Sequence, residues 1–163
     1  MLPDILKEVT TTSHDVCLEN FRFFVLPSNT AGSVCIPITY SPTPTTLASL
    51  ILRSDCEFDF TALAATVGWQ AVTNGTGLDR VNVLFKIWRG TPVAGQLICS
   101  ANDSADSDDD SRRVTSFTHV DTGFDFRSSR PPVYFLTAEL PDEGSAANVI
   151  GPITFTAAEI ERK

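Results

Sequence analysis

The chain has 163 residues and a mass of 17.7 kDa, a length that predicts one compact domain with a hydrophobic core of its own. Its 12 Lys and Arg against 20 Asp and Glu give a net charge of −8. Nucleic acid and an anionic membrane are therefore excluded as expected partners, because both require clustered positive charge. The sequence has no apolar run of about 18 residues, so it also predicts no transmembrane helix.

The N-terminal segment, residues 1–19, is predicted to be an extension of the domain formed by residues 20–163. Its apolar residues have helical spacing at Leu2, Ile5, Leu6 and Val9. The segment lacks a basic region followed by an apolar stretch, so we expect no export by the general secretory route. Two hypotheses fit it: a disordered terminus, or an arm that reaches a neighbouring subunit and adds a strand to an exposed edge.

Apolar and polar residues alternate through most of the remaining chain, which is typical of half-buried strands. Strand patterns occur at 20–26, 34–40, 58–62, 66–72, 80–88, 96–100, 114–120, 133–140 and 149–158, and 46–52 is a short apolar run. In the first of them, Phe21, Phe23 and Val25 share one face. Pro37 indicates an edge position for the second, because proline cannot donate to a strand ladder.

The middle of the chain resembles a hairpin. Two apolar runs, 66–72 and 80–88, flank Asn74-Gly75 and Gly77, which readily take the positive φ of hairpin turns. A second turn is predicted at 90–95, a polar loop at 102–110, and a third turn at 141–144. Eight or nine strands with these turns and no long helix predict an all-β fold, a single-domain jelly-roll-like β-sandwich.

Four cysteines, Cys17, Cys35, Cys56 and Cys99, suggest disulfides in an extracellular protein but not in a chain without an export signal. Their spacing contains no CxxC pair and matches no zinc pattern. Buried free thiols, disulfides within or between chains, and a metal site all remain open.

The acidic segment 102–110 is the most distinctive local feature. Asp106, Asp108 and Asp110 alternate as calcium ligands do, but Ser111 and Phe117 stand where an EF-hand has glycine and glutamate. We interpret the segment as a solvated loop, with weak calcium binding as the alternative. No other metal or cofactor is expected.

Catalysis is not expected, because the only histidines, His14 and His119, adjoin no recognised catalytic motif. His119 is interpreted as a surface or hydrogen-bonded strand residue. Trp69 and Trp88 have two interpretations: core or interface residues, or a stacking platform for sugars.

Five segments of the second half resemble the exosporium protein C family of bacterial endospore proteins. They are VGWQ at 67–70, VLFKIWRG at 83–90, VTSF at 114–117 with VD at 120–121, YFLTAE at 134–139 and, most specifically, ANVIGPITFTA at 147–157. The resemblance covers roughly residues 65–160. The acidic segment, Cys17 with the N-terminal extension, and residues 34–59 have no counterpart in it.

The resemblance implies a structural protein that assembles with itself, and with other spore-surface proteins, in the exosporium or a spore appendage. Such proteins are made in the mother-cell cytoplasm without a signal peptide and later face an oxidising exterior, which explains the cysteines. Cys17 linked to a cysteine of the next subunit is then one expectation. The alternative function is a discrete trimeric head, similar to tumour necrosis factor-like or phage-fibre-tip domains, that binds a ligand or carbohydrate through its loops.

Overall fold

A computed structural model describes residues 16–52, 60–73, 80–107, 111–123 and 131–162. These residues form nine strands and contain no helix. The strands are β1 (Val16–Val25), β2 (Ile36–Ile38), β3 (Thr45–Ile51), β4 (Phe60–Ala71), β5 (Arg80–Arg89), β6 (Gln96–Asp106), β7 (Arg112–Asp121), β8 (Val133–Glu139) and β9 (Ala147–Arg162).

The strands form two antiparallel sheets that pack face to face. One is five-stranded, in the order β1-β9-β4-β7 with β2 also on β9, and the other is four-stranded, in the order β3-β8-β5-β6. Apart from β2, the pairs β1·β9, β3·β8, β4·β7 and β5·β6 are nested, as in one long hairpin rolled into two layers. This is the jelly-roll arrangement. The predicted fold class is confirmed.

The core lies between the sheets and is filled by alternate residues of each strand. Val83 and Phe85 of β5 and Ile153 and Phe155 of β9 are completely buried, as the period-two pattern predicts. Trp69 also lies in this core. Burial of the large apolar side chains of both sheets is the main source of stability, at roughly 25 cal/mol per Å².

The predicted hairpin between 66–72 and 80–88 is wrong. β4 pairs with β7 and β9, whereas β5 pairs with β6 and β8, so the two strands belong to different sheets. A turn signal indicates where a chain reverses but not whether the next strand joins the same layer. The turn residues 74–79 lie outside the described part of the chain. The actual hairpin is β5–β6, whose turn contains the predicted Gly90, at φ 83°.

Two further boundaries differ from prediction. Residues 60–71 form one strand rather than two, and β6 continues to Asp106, so most of the predicted polar loop is strand. β6 extends because its acidic half pairs with the first residues of β5, Arg80 to Leu84. Tertiary pairing here outweighs the low strand propensity of Asn and Asp.

The N-terminal part of the domain also differs in detail. β1 begins at Val16 rather than Asn20, so residues 16–19 belong to the sheet, while 1–15 lie outside the described residues. Residues 34–40 supply only the short strand β2. Its Pro37 pairs with Asn148 of β9, and β2 has no second partner in the described part of the chain. The predicted edge position of Pro37 is confirmed.

Candidate assembly surface

The two sheets end in four long edge strands, β1 and β7 on one sheet and β3 and β6 on the other. Three of these edges are irregular: the pairing shifts register at Leu18/Asn20 in β1, at Thr46/Ala48 in β3, and where β6 meets Ile87/Trp88. Such bulges twist an edge and interrupt its hydrogen-bonding row. β7 differs, because all of Arg112–Asp121 pairs with β4 without a shift.

β7 is held firmly on its own sheet. Phe117 packs against the core with its ring 6.5 Å from that of Phe85. On the other face, the hydroxyls of Ser116 and Thr66 are 2.9 Å apart and share a hydrogen bond. Its outward residues Val114 and Val120 are exposed. The strand therefore presents a regular row of backbone groups on its free side without needing a neighbour to keep it in place.

A polar contact closes the sandwich between the edge strands β6 and β7. The Thr115 hydroxyl of β7 donates to Asp103 Oδ2 of β6 at 2.6 Å and accepts from Trp69 Nε1 at 3.0 Å. Asp103 thus lies in a strand and bonds inward, not in a solvated loop as predicted. The Trp69 indole is buried and fully engaged, so the core interpretation of Trp69 is confirmed.

Trp88 lies on the outer face of the four-stranded sheet but is only 9% exposed. Its Nε1 donates to Thr137 Oγ1 at 3.0 Å, and Lys86 Nζ lies 5.8 Å from the ring centroid. Neither tryptophan offers an open ring face, so the structure does not bring them together as a sugar platform. The predicted core role fits Trp69, whereas Trp88 is buried on the outer face beneath Lys86.

A buried polar row crosses the inner face of the five-stranded sheet, and sequence patterns did not reveal it. Register places Asn20, Glu159, Thr61 and Asp121 side by side. Asn20 Nδ2 donates to Glu159 Oε2 at 2.8 Å. The other oxygen of Glu159 is buried without a hydrogen-bond partner in the described structure.

Asp121 is the centre of the contacts at one end of this row. Arg89 Nη1 lies 2.6 Å from Asp121 Oδ2, and Tyr134 Oη donates to the same oxygen at 2.8 Å. Burial and then the charge of Asp121 raise the pKa of Tyr134, so the phenol stays protonated. These contacts join the two sheets. Their residues are far apart in sequence, which is why no local motif indicates them.

The cysteines fall in different environments. Cys35 is exposed just before β2, and Cys99 is half-buried in β6, where burial raises the pKa of its thiol; both are free thiols. Cys56 and the side chain of Cys17 lie outside the described residues. The predicted disulfides therefore stay predictions, and Cys35 is the described cysteine that a neighbouring chain can reach.

The other predicted site residues are dispersed. Asp106 is exposed at the end of β6, while Asp108 and Asp110 lie outside the described residues, so calcium binding stays a prediction. His119 is a half-buried residue of β7, as interpreted, and His14 lies outside the description. Within the described ranges, no group of three His, Cys, Asp or Glu side chains is placed to hold a metal, and no helix could cross a membrane.

No protein-family model and no curated protein matches the chain. Among solved structures, it is similar to the infectious bursal disease virus Gx strain, with 10% identity, TM-score 0.45, and coverage of 99% of this chain and 42% of that one. The VP2 subviral particle of that virus is 12% identical, with a TM-score of 0.40 and coverage of 99% of this chain and 42% of that one. Dimeric latent PorU from Porphyromonas gingivalis is 15% identical, with a TM-score of 0.41 and coverage of 83% of this chain and 14% of that one. The chain thus spans less than half of each of these proteins, and likenesses this weak carry no argument about function.

Proposed function

We propose that this protein is a structural, self-assembling subunit of the bacterial endospore surface, in the exosporium layer or a surface fibre, that polymerises by pairing of its edge strands. The regular free edge of β7 carries the proposal. A long edge without a bulge is a template for another strand, and monomeric proteins usually block it. Among the described residues, β1, β3 and β6 are each interrupted by a bulge, whereas β7 has neither a bulge nor a second partner strand.

The side chains of β7 also leave its edge open. Edge strands are commonly protected by proline or by a charged residue in the middle of the strand. The charges of β7 are at its ends, Arg112 and Arg113 at one and Asp121 at the other. From Val114 to Val120 the strand carries no Pro, Lys, Arg, Asp or Glu. A neighbouring strand can therefore lie along this stretch without burying a fixed charge.

The choice of partner strand decides what is built. If β7 pairs with a different edge of the next copy, the contact is head-to-tail and repeats into a fibre or a sheet. If it pairs with β7 of another copy, the contact is closed and stops at a dimer. We propose the repeating contact, supported by the resemblance over residues 65–160 to proteins of a spore layer that consists of many copies.

The N-terminal arm and the cysteines have a second role in this proposal. Residues 1–15 precede β1, which lies at the edge opposite β7. We propose that this arm reaches a neighbouring subunit and that Cys17 forms a disulfide there after the mother cell lyses, with exposed Cys35 as a candidate partner. Other spore-surface proteins are expected to anchor the first subunit.

Proline substitution tests the β7 edge. In an antiparallel strand, neighbouring residues direct their N–H groups to opposite sides. Of Arg113→Pro and Val114→Pro, which lie in β7 but outside the depression on its sheet's outer face, one therefore removes a bond to β4 and the other a free N–H. We expect the variant that keeps the wild-type melting temperature to lose polymerisation, as seen by electron microscopy and sedimentation. Of Ser100→Pro and Ala101→Pro on the bulged edge β6, the one that keeps the wild-type melting temperature is the matched control. Full polymerisation by the stably folded β7 variant would contradict the proposal.

Imaging with and without reductant tests the role of the disulfide and separates the fibre from the trimeric head. Fibres that survive heating in detergent without reductant, and give a ladder on a non-reducing gel, are the expected result. Deleting residues 1–15, which leaves β1 complete, should remove the ladder while leaving a folded domain. Discrete particles of one size under all conditions would favour the trimeric head instead.

A further inference from the structure

The outer face of the five-stranded sheet has a composition unlike the rest of the surface. Register aligns its side chains in rows from β7 through β4 and β9 to β1. The rows are Val120, Ala62, Ala158 and Phe21; Thr118, Ala64, Thr156 and Phe23; and Ser116, Thr66, Thr154 and Val25; with Phe60, Ile160 and Leu18 beyond the first. None of these residues is charged, although 20% of the chain is.

The apolar residues of this face are open to solvent. Phe21 is 50% exposed and Phe23 64%, and Leu18 is 60% exposed beside them. An aromatic side chain has roughly 150–250 Å² of surface, so each Phe exposes on the order of 100 Å². Monomers rarely expose contiguous apolar patches beyond a few hundred Å², and larger ones mark interaction sites.

The same face is not flat: it carries a ridge and a depression. Phe21 and Phe23, with ring centroids 6.0 Å apart, form a ridge along β1. Beside it lies a depression of about 490 Å³ above β4, β7 and β9, lined by Ala62, Ala64, Thr118, His119, Thr156 and Ala158 among others. Small residues on the two central strands and large residues on the edge strand produce this shape. We call this surface the alanine face.

The alanine face is large enough for a stable contact. Four strands about 4.8 Å apart and four rows about 6.8 Å apart cover about 500 Å². Two such faces packed together bury about 1,000 Å² before the side-chain relief is counted, which is the size at which specific interfaces begin.

Shape points to a second copy of this chain as the occupant, because the same face carries both the ridge and the depression; charge permits this pairing only at such a face. Two copies with a net charge of −8 each repel one another, and the repulsion is weakest where they meet through a surface without charged groups. The opposite outer face does not offer this, because it carries Arg80, Lys86 and Glu139.

We propose that two copies pack with their alanine faces together, the ridge of Phe21 and Phe23 of each lying in the depression of the other. A two-fold axis in the interface, parallel to the strands, makes both ridge-and-depression contacts at once, so the pairing is closed and reciprocal. It uses side chains on the face, whereas the proposed polymer uses the backbone edge of β7. The two contacts are independent, and in a polymer the face would join neighbouring fibres or layers.

The proposal is tested by sedimentation equilibrium with reductant, in the full chain and in the edge-blocked β7 proline variant. In the edge-blocked variant, which does not polymerise, we expect a dimer that Phe23→Ser weakens about tenfold or more. In the full chain, which polymerises through β7, Phe23→Ser should reduce the lateral association of the polymers. The matched control is Tyr40→Ser, which removes an aromatic residue that is 55% exposed elsewhere and should leave the dimer unchanged. A monomer in the edge-blocked variant, with polymers in the full chain that Phe23→Ser does not change, would mean that the edge and not the face makes the contact, which overturns this inference while supporting the proposed polymer.

A second variant distinguishes shape complementarity from nonspecific hydrophobic association. Ala64→Trp fills the depression but keeps the face apolar, so specific pairing should weaken about tenfold as well. A monomer at 100 μM or above in the edge-blocked variant, equal effects of Phe23→Ser and Tyr40→Ser, or full association of Ala64→Trp would each overturn the proposal. Dimerisation that appears after deletion of residues 1–15 and not before would identify that segment, and not a second copy, as the occupant.

Discussion

The aromatic residues on the two outer faces of the sandwich differ in exposure: they are covered on one face and open to solvent on the other. On the four-stranded sheet, Trp88 is covered by Lys86 and bonded to Thr137 within the same chain. On the five-stranded sheet, Phe21 and Phe23 stand on an edge strand with no side chain over them that the structure describes. The first face is complete in one molecule, whereas the second buries its aromatic surface only if something else packs on it.

The largest expected effect comes from removing the aromatic residue on the complete face. Trp88→Ala should lower the free energy of unfolding by about 3–5 kcal/mol, because it leaves a cavity and removes the hydrogen bond that Trp88 Nε1 donates to the buried Thr137 hydroxyl. Phe23→Ala, measured as a monomer, should change it by about 0.5 kcal/mol or less. Urea unfolding of both variants gives the two values. Equal losses would show that the faces do not differ as described.

Gly68 lies in β4 where the backbone of β9 at Gly151 and Pro152 comes closest to it, and a substitution there tests that close approach. A Cβ built on Gly68 lies 1.8 Å from the carbonyl oxygen of Gly151 and 2.7 Å from Pro152 Cδ, so the strands approach too closely there for any side chain. Gly68→Ala should cost about 1–3 kcal/mol in urea unfolding. Gly123→Ala is the control, since its Cβ meets neighbours at 3.5 Å or more. A neutral Gly68→Ala would mean that β9 moves away readily.

Tyr134 lies between the two faces and gives a pH dependence. Its pKa is raised by burial, so its contribution to stability is complete below the ordinary tyrosine pKa of about 10 and is lost as pH rises above it. Tyr134→Phe should cost about 1 kcal/mol at pH 7. Above pH 10 the wild type should lose stability faster than the variant, by up to about 1.4 kcal/mol per pH unit. Parallel curves between pH 8 and 11 would contradict the assignment.

The smallest effect is expected from the ion pair on the complete face. Lys86 and Glu139 are each 19% exposed, so solvent screens their attraction. Lys86→Met keeps the aliphatic stem over Trp88 and removes the charge, and should cost about 0.5 kcal/mol at low salt. The cost should fall in 1 M salt. A loss as large as that of Trp88→Ala would mean that the charge, and not the packing, covers the indole.

Much of the candidate assembly surface was beyond prediction. The strand pattern at 114–120 indicates β7 correctly, but whether a strand is an edge, and whether it is bulged, depends on partners elsewhere in the chain. The alternation of Phe21, Phe23 and Val25 predicts one shared face, yet it does not say that this face points outward while Phe24 packs on the core. Asp103 was assigned to a loop because its hydrogen bonds to Thr115 and Trp69 have no local signature.

The sequence by itself determined that the chain forms strands, because successive side chains of a strand point to opposite faces and β5 and β9 show that alternation directly. It also determined the turn at Gly90 and the edge position of Pro37, which depend on the backbone of single residues. The tertiary structure decided that β4 and β5 lie in different sheets, that the regular edge of β7 has no second partner among the described strands, and that the alanine face carries no charged side chain in its rows. Those features depend on which strands lie side by side, and long-range packing, not local pattern, sets that order.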